Sequence, residues 1–349
     1  MNPEARENFR RQAGWCEALG SPFTARVCRV LGERLNEDSS FGARLLNWPG
    51  DAQADAVALR ACGALNLLAR GGHPALAPLY PPHDLPMEEE LWRGIVAAIA
   101  SDDLRLTAIL DSSPQTNEVA RSALLLPGYL AIARLAGLPL GLREIGASAG
   151  LNLLFDRYSY RYGSFSWGAA DAAVTIACEW RGETPDLAVD VDVVDRLGCD
   201  LNPIDARDLA QRERMLSYVW PDQTARLARI GAALDLAASE AIGVEKEDAA
   251  RFVARELAAP QPGRVTTLVH SIVWQYLPQA TKTAITASIA EAASRATTDA
   301  PFAWLRLEAE ADQPRGAVLR LSLWPRGLVD APLAVADFHG RWIEWRGLA

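Results

Sequence analysis

The stretch Leu142-Arg-Glu144-Ile-Gly146-Ala-Ser148-Ala-Gly150-Leu-Asn152 decides how this chain is read. Leu140 to Ile145 reads as a strand, small residues follow, and Leu151 to Asp156 opens a helix. Small residues let a ligand approach the backbone closely, and a helix start offers free N–H groups. This is the layout of a nucleotide-binding first turn. The dinucleotide pattern G-x-G-x-x-G is absent, and E-x-G-x-S-x-G stands in its place.

On the N-terminal side, apolar residues recur at helical spacing in Phe9–Leu19, Phe23–Leu35, Ala56–Leu68 and Leu91–Ile99. Breaks fall at Gly20-Ser-Pro22, Trp48-Pro-Gly50, Gly71-Gly-His-Pro74 and Tyr80-Pro-Pro82. Ser113-Pro114 is expected to open one more helix, with Ser113 as its cap, and Pro127-Gly128 to kink or interrupt it. On the C-terminal side, strand-like and helix-like segments alternate, the mark of a sheet with helices packed on it. Strands are expected in Val189–Cys199, Ala241–Val244, Val265–His270, Phe302–Ala309, Ala317–Trp324 and Trp342–Trp345, with an antiparallel ending. Helices are expected over Glu213–Ala237, Ala249–Ala258 and Ala280–Ala296, and an aromatic hairpin insertion over Tyr158–Trp180. The expected organisation is a helical domain over residues 1–138 and an α/β domain over 139–349.

Composition narrows the function classes. The 349 residues are 50 % hydrophobic and 23 % charged, which leaves ample material for a core. The formal charge is −9 with no basic run, a poor match to nucleic acid or an anionic membrane. The most apolar run, Ala123–Pro139, is interrupted by Pro127, Gly128 and Arg134 and is short for a span. The N-terminus has no signal-like apolar core. Five scattered cysteines without C-x-x-C spacing argue against a zinc ribbon, and no metal site is expected. A cytoplasmic location, with reduced thiols, is the expectation.

The spacing of Glu144, Gly146, Ser148 and Gly150 resembles the first motif of class I S-adenosylmethionine-dependent methyltransferases, E-x-G-x-G-x-G, with Ser148 at the central glycine. The resemblance implies a Rossmann-like seven-stranded sheet behind the all-α N-terminal domain, a donor site for S-adenosylmethionine and a small-molecule acceptor. Under it Glu144 serves the donor's ammonium end. Gly146, Ala147, Ser148 and Gly150 allow close backbone approach. Asp200, in Gly198-Cys-Asp-Leu-Asn-Pro203, takes the ribose, and Asp248 the adenine amino group. Val265–His270 delivers the polar pair His270 and Ser271 to the strand's carboxyl end, followed by Trp274, Gln275 and Tyr276. His270 or Tyr276 would orient or deprotonate the acceptor, and Ser271 would join the donor site. The polar string Gln115, Asn117, Glu118 and Arg121, with Trp274 and Gln275, is expected to line the acceptor pocket. A D/N-P-P-Y/F/W motif is absent, which argues against methylation of nucleic-acid bases.

Several strings together resemble an uncharacterised bacterial family, domain of unknown function 2332. They are Gln12-Ala-x-x-Cys16 with Gly20-Ser-Pro22, Gln115-Thr-Asn-Glu-Val119, Glu144–Asn152, Gly198–Asp205, Tyr218-Val-Trp-Pro-Asp-Gln223, His270–Pro278 and Ala303–Glu308. That label implies no activity. Two other functions stand beside the methyltransferase. One is a non-catalytic adenosylmethionine- or nucleotide-binding protein. The other is a serine hydrolase, because the same loop spells G-x-S-x-G, with Ser148 as nucleophile and His339 and Asp299 or Asp330 as partners.

Overall fold

The computed structural model describes residues 3–163, 165–183, 188–313 and 316–348. In chain order the helices α1 (Pro3–Ala18), α2 (Pro22–Arg34), α3 (Ser40–Leu46), α4 (Val57–Arg70), α5 (Glu88–Ile109) and α6 (Ser122–Ala136) come first. The strand β1 (Leu140–Ile145) leads into a 3-10 helix (Leu151–Arg157). Then follow β2 (Ser159–Tyr162), β3 (Phe165–Trp167), β4 (Thr175–Ala177), β5 (Glu179–Gly182) and β6 (Val193–Asp200). Next come α7 (Leu209–Ser217), α8 (Thr224–Ser239), β7 (Val244–Lys246), α9 (Ala249–Glu256), β8 (Val265–Ser271) and α10 (Gln279–Arg295). The chain closes with β9 (Phe302–Ala309), β10 (Ala317–Trp324), β11 (Leu328–Ala336) and β12 (Trp342–Trp345).

Two compact units divide the chain. The first holds residues 1–116 and 208–231, the second residues 117–207 and 232–349. In the first, α1 to α5 enclose a core that includes Phe9, Val27, Leu31, Phe41, Leu45, Leu65 and Ile95, and α7 packs on α4. Asn66, buried on α4, donates to the carbonyls of Ser217 and Val219, so the end of α7 is bonded to the N-terminal helices.

The second unit is α/β, built on a nine-stranded mixed sheet in the order β5-β12-β11-β10-β9-β8-β1-β6-β7. The seven-stranded sheet expected from the sequence is therefore corrected. The antiparallel ending is longer than it reads, because β11 contains Asp330 and Pro332 and lacks strict alternation. The aromatic insertion also sends β5 to the far edge, where it pairs in parallel with β12. A separate three-stranded sheet, β3-β2-β4, is made of the rest of that insertion.

Five adjacent strands, β7-β6-β1-β8-β9, are parallel. The first of them in the chain, β1, lies in the middle. Connections leave β1 and β8 in opposite senses across the sheet, which makes a topological switch point at their carboxyl ends. Strand register then fixes the faces. Glu144 pairs with Val269, and Val269 with Leu305. Leu305 lies under Gly128 of α6, so Glu144 is on the α6 face. Ile145, His270 and Glu308 alternate onto the other face, where Ile145 packs with Phe252 of α9 and Ile285 of α10.

Two local expectations fail for identifiable reasons. Ser113 caps no helix. Its Oγ accepts from Arg60, and regular structure resumes only at Val119, where Glu118 accepts from the Ala120 N–H. Helix α6 runs through Pro127 without interruption. Proline cannot donate to the carbonyl four residues back. Here the Tyr162 hydroxyl donates to that carbonyl, of Ala123, at 2.6 Å. The stretch Val119–Ala136 is long and apolar enough to cross a membrane, and 78 % of it is buried inside the fold.

Candidate functional site

Gly146, Ser148 and Gly150 all have positive φ, at 68°, 55° and 71°. Glycine tolerates this and serine does so at a cost. Neighbours enforce it. A Cβ on Gly146 would lie 2.5 Å from the Val273 side chain, and one on Gly150 2.6 Å from Ile242. The loop after β1 thus passes directly against the segment that follows β8.

The loop's donors are already used. The Ala147 N–H donates to the Cys199 carbonyl, and Ser148 N–H to Asp200 Oδ2 at 3.0 Å. Ala149 and Leu151 N–H both donate to Asn117 Oδ1, at 3.2 and 3.0 Å. Asn117 holds φ 36°, a value its short polar side chain tolerates. An anion cradle needs such groups free. This loop offers a phosphate few of them.

Beneath it is a carboxyl group in an unusual state. Glu144 is 2 % exposed at the end of β1. Burial pushes its pKa up to about 8, with the Arg121 guanidinium and an Asn152 hydrogen bond opposing and Asp200 adding to the rise. Asn152 is fixed in turn by the Ser122 hydroxyl, which donates to its Oδ1 at 2.8 Å. Glu144 Oε2 and Ser148 Oγ are both buried without a hydrogen-bond partner. Unpaired buried polar atoms are costly, and such groups cluster at functional sites. Arg121 donates to the carbonyls of Ser271 and Phe338, spanning the ends of β8 and β11.

The remaining expected residues are placed as follows. Asp200 ends β6 and accepts from Ser148 and Asn202 N–H groups, so it also braces the loop. Asp248 is the cap of α9, accepting from the N–H groups of Ala250 and Arg251. Ser271 ends β8 and is buried. Trp274 is half-buried and stacks on His270 with centroids 5.2 Å apart, while Gln275 is exposed and Tyr276 is 68 % exposed. Gln115 belongs to the first unit, whereas Asn117, Glu118 and Arg121 belong to the second.

His270 is fully buried, and both ring nitrogens are engaged. Glu308 Oε1 lies 2.6 Å from Nδ1, and the Trp304 indole N–H donates to Nε2 at 3.0 Å. An accepting Nε2 leaves the proton on Nδ1, facing the carboxylate. The ring is thereby held in one orientation on the face opposite Glu144. Of the residues named for the hydrolase reading, His339 lies in the turn between β11 and β12, where its N–H donates to Asp337 Oδ1 at 3.0 Å. Asp299 precedes β9 at the amino edge of the strands, where its carbonyl accepts from Gly263 N–H. Asp330 is paired with Arg306.

Sequence reasoning missed Asn152, Ser122, Trp304 and Glu308 as site-builders. Two-residue alternation in β9 puts Trp304, Arg306 and Glu308 on one face, a signal available in the sequence. Nothing local marks Asn152 as the partner of Glu144. No cluster able to hold a metal ion occurs among the described residues.

Fold and site together define an α/β protein with a small-residue loop over a buried acid at a sheet switch point, accompanied by a helical unit. The chain belongs to the bacterial family described as "Uncharacterized protein conserved in bacteria (DUF2332)", whose model matches residues 6–345. No curated protein and no solved structure matches it.

Proposed function

We propose that the second unit binds S-adenosylmethionine at the carboxyl ends of β1 and β8 and transfers its methyl group to a small-molecule acceptor. One observation carries the reading: the buried Glu144 carboxyl, with one bare oxygen, lies under a loop whose N–H groups are already spent on Asn117 and Asp200. Such a site disfavours phosphate and favours a ligand that brings positive charge. A sulfonium nucleoside with an ammonium end and no phosphate fits both conditions. The strand order of the parallel core supports the same reading by analogy of fold.

Glu144 would hold the ammonium end, with Arg121 and Asn152 fixing the carboxylate. Ser148 Oγ would supply a further polar contact. Gly146, Ala147 and Gly150 would bring backbone close to the ligand. The bound donor supplies an electrophilic methyl group, and the sulfonium carries that chemistry. The chain's contribution is alignment of the acceptor and exclusion of water. His270 is oriented by Glu308 and Trp304 and is committed to holding Trp274 and the end of β8 in place. Acceptor deprotonation would then fall to the acceptor's own chemistry or to Tyr276 at the rim. The engagement of both His270 ring nitrogens supports a second reading, a binding protein without transfer.

The test is calorimetry with adenosylmethionine and adenosylhomocysteine. Below pH 8 Glu144 is mostly protonated, and a cationic ligand needs it ionised. Binding at pH 7 should therefore release close to one proton, read from the heat in two buffers of different ionisation enthalpy. Apparent affinity should rise about tenfold per pH unit up to that pKa and then level off. No binding of either compound at millimolar concentration would overturn the proposal. Binding without methyl transfer to any thiol, amine or carboxylate acceptor offered would favour the second reading.

A further inference from the structure

Three of the five cysteines meet in the first unit, each from a different helix: Cys16 on α1, Cys28 on α2 and Cys62 on α4. The Cys28 and Cys62 sulfurs are 3.5 Å apart. Cys16 neighbours Cys28, and its sulfur accepts from the buried Gln12 amide at 3.4 Å. A thiol used only as a small apolar filler has no need of a buried amide donor. A narrow cavity of about 10 Å³, room for about one water-sized molecule, reaches this cluster. Cys62 forms part of its wall together with Asn66, Tyr80, Tyr218 and Trp220. The Tyr80 residue is 5 % exposed, and its buried hydroxyl has no hydrogen-bond partner. The cavity therefore holds an unanswered polar group next to a sulfur that its contents can touch.

We propose that Cys62 and Cys28 form a peroxide-reactive dithiol, reached through this cavity, that closes to an intramolecular disulfide joining α2 to α4. In the first step the Cys62 thiolate attacks hydrogen peroxide. A sulfur–oxygen bond forms, the peroxide O–O bond breaks, and hydroxide leaves, giving a sulfenic acid on Cys62. In the second step the Cys28 sulfur attacks the Cys62 sulfur and expels water. The sum is two thiols and one peroxide to one disulfide and two waters. Tyr80 is positioned to hydrogen-bond the peroxide. Cys16 is placed to take the proton from Cys28 as it attacks. Its pKa is lowered by the hydrogen bonds from Cys28 and Gln12, whereas Cys28 is raised well above the usual thiol range by its bonds to Cys16 and Cys62 and by burial. The resolving thiol therefore needs a neighbour that removes its proton.

The native full-length chain is treated with hydrogen peroxide and its peptides are mapped without reduction. The expected product has lost two hydrogens, carries a Cys28–Cys62 link and reverts with dithiothreitol. In Cys28→Ser the reaction should stop at a sulfenic acid on Cys62 that dimedone traps. Cys16→Ser should slow disulfide closure at least several-fold while leaving sulfenic acid formation unchanged. Cys178→Ser and Cys199→Ser should behave as the parent. A link that maps to Cys16, oxidation confined to Cys178 or Cys199, or thiols that stay reduced while the fold is intact would each overturn the proposal. Circular dichroism of each variant checks the fold, and mapping of the unmutated chain decides the matter even where a variant does not fold.

Discussion

Glu144 is an acid kept mostly protonated at neutral pH by its surroundings, and this has a consequence for stability as well as for ligand choice. Its folded pKa of about 8 lies above an unfolded value of about 4.3. The folded state therefore holds the proton more tightly, and stability falls as pH rises between those values. Glu144→Gln removes the titration while keeping an acceptor for Asn152. The variant should gain thermal stability relative to the parent as pH is raised from 5 to 9, by on the order of a few kcal/mol at most. It should also lose adenosylmethionine binding and its proton release. Equal melting shifts at both pH values would show that the carboxyl is not the titrating group. Asn117 is the second residue with a definite expectation. Asn117→Ala leaves the N–H groups of Ala149 and Leu151 without their acceptor, at a cost of about 1–3 kcal/mol. The same variant should weaken ligand binding, since the loop loses its shape. Asn117 and Glu118 stand out in the sequence as a polar turn before an apolar helix, but the target of Asn117, a loop 32 residues away, does not.

At the scale of elements, the aromatic insertion turns out to brace its neighbours. Tyr158, Tyr160 and Tyr162 are all buried, and their hydroxyls donate to the carbonyls of Leu151, Phe155 and Ala123. Two of those carbonyls belong to the 3-10 helix after the glycine loop and one to α6. This is why α6 passes through Pro127 where the sequence alone leads one to expect a break. The compensation can be measured as a coupling. Tyr162→Phe alone should cost about 1–2 kcal/mol, because the Ala123 carbonyl is left buried and unpaired. A Pro127→Ala background supplies a backbone N–H at that position, and this donor can reach the same carbonyl. There the cost of Tyr162→Phe should fall by half or more. Equal costs in the two backgrounds would refute the account. Helical segments and the parallel strands were legible from spacing, since burial on one face imposes a period that shows in the residues. The 3-10 start at Val119 and the strand β11 were not, because both depend on distant partners.

At the scale of the whole molecule, the first unit is assembled from two separate pieces of chain. Residues 208–231 return to complete it, and Asn66 holds that return by two hydrogen bonds. A chain ending at residue 116 therefore lacks α7 and two partners for a buried amide. It should unfold without a cooperative transition. Joining residues 208–231 to it through a flexible linker should restore one, measured by heat capacity or far-ultraviolet ellipticity. A sharp transition in the shorter chain would mean that residues 208–231 are dispensable for this core.

The sequence by itself determined the change from helices to an α/β pattern, the glycine-loop strand-to-helix turn, most strand positions and membership of the family. These follow from local rules: residue period, turn chemistry and small-residue spacing act over a few neighbours. Tertiary structure alone decided the number of strands in the sheet, the discontinuity of the first unit, and the separation of Glu144 and His270 onto opposite faces. It also decided that Asp200 and Asn117 consume the loop's N–H groups and that three cysteines from separate helices meet. All of these are satisfied by partners tens of residues away, and a hydrogen bond or a packed sulfur leaves no periodic trace in the chain that supplies it.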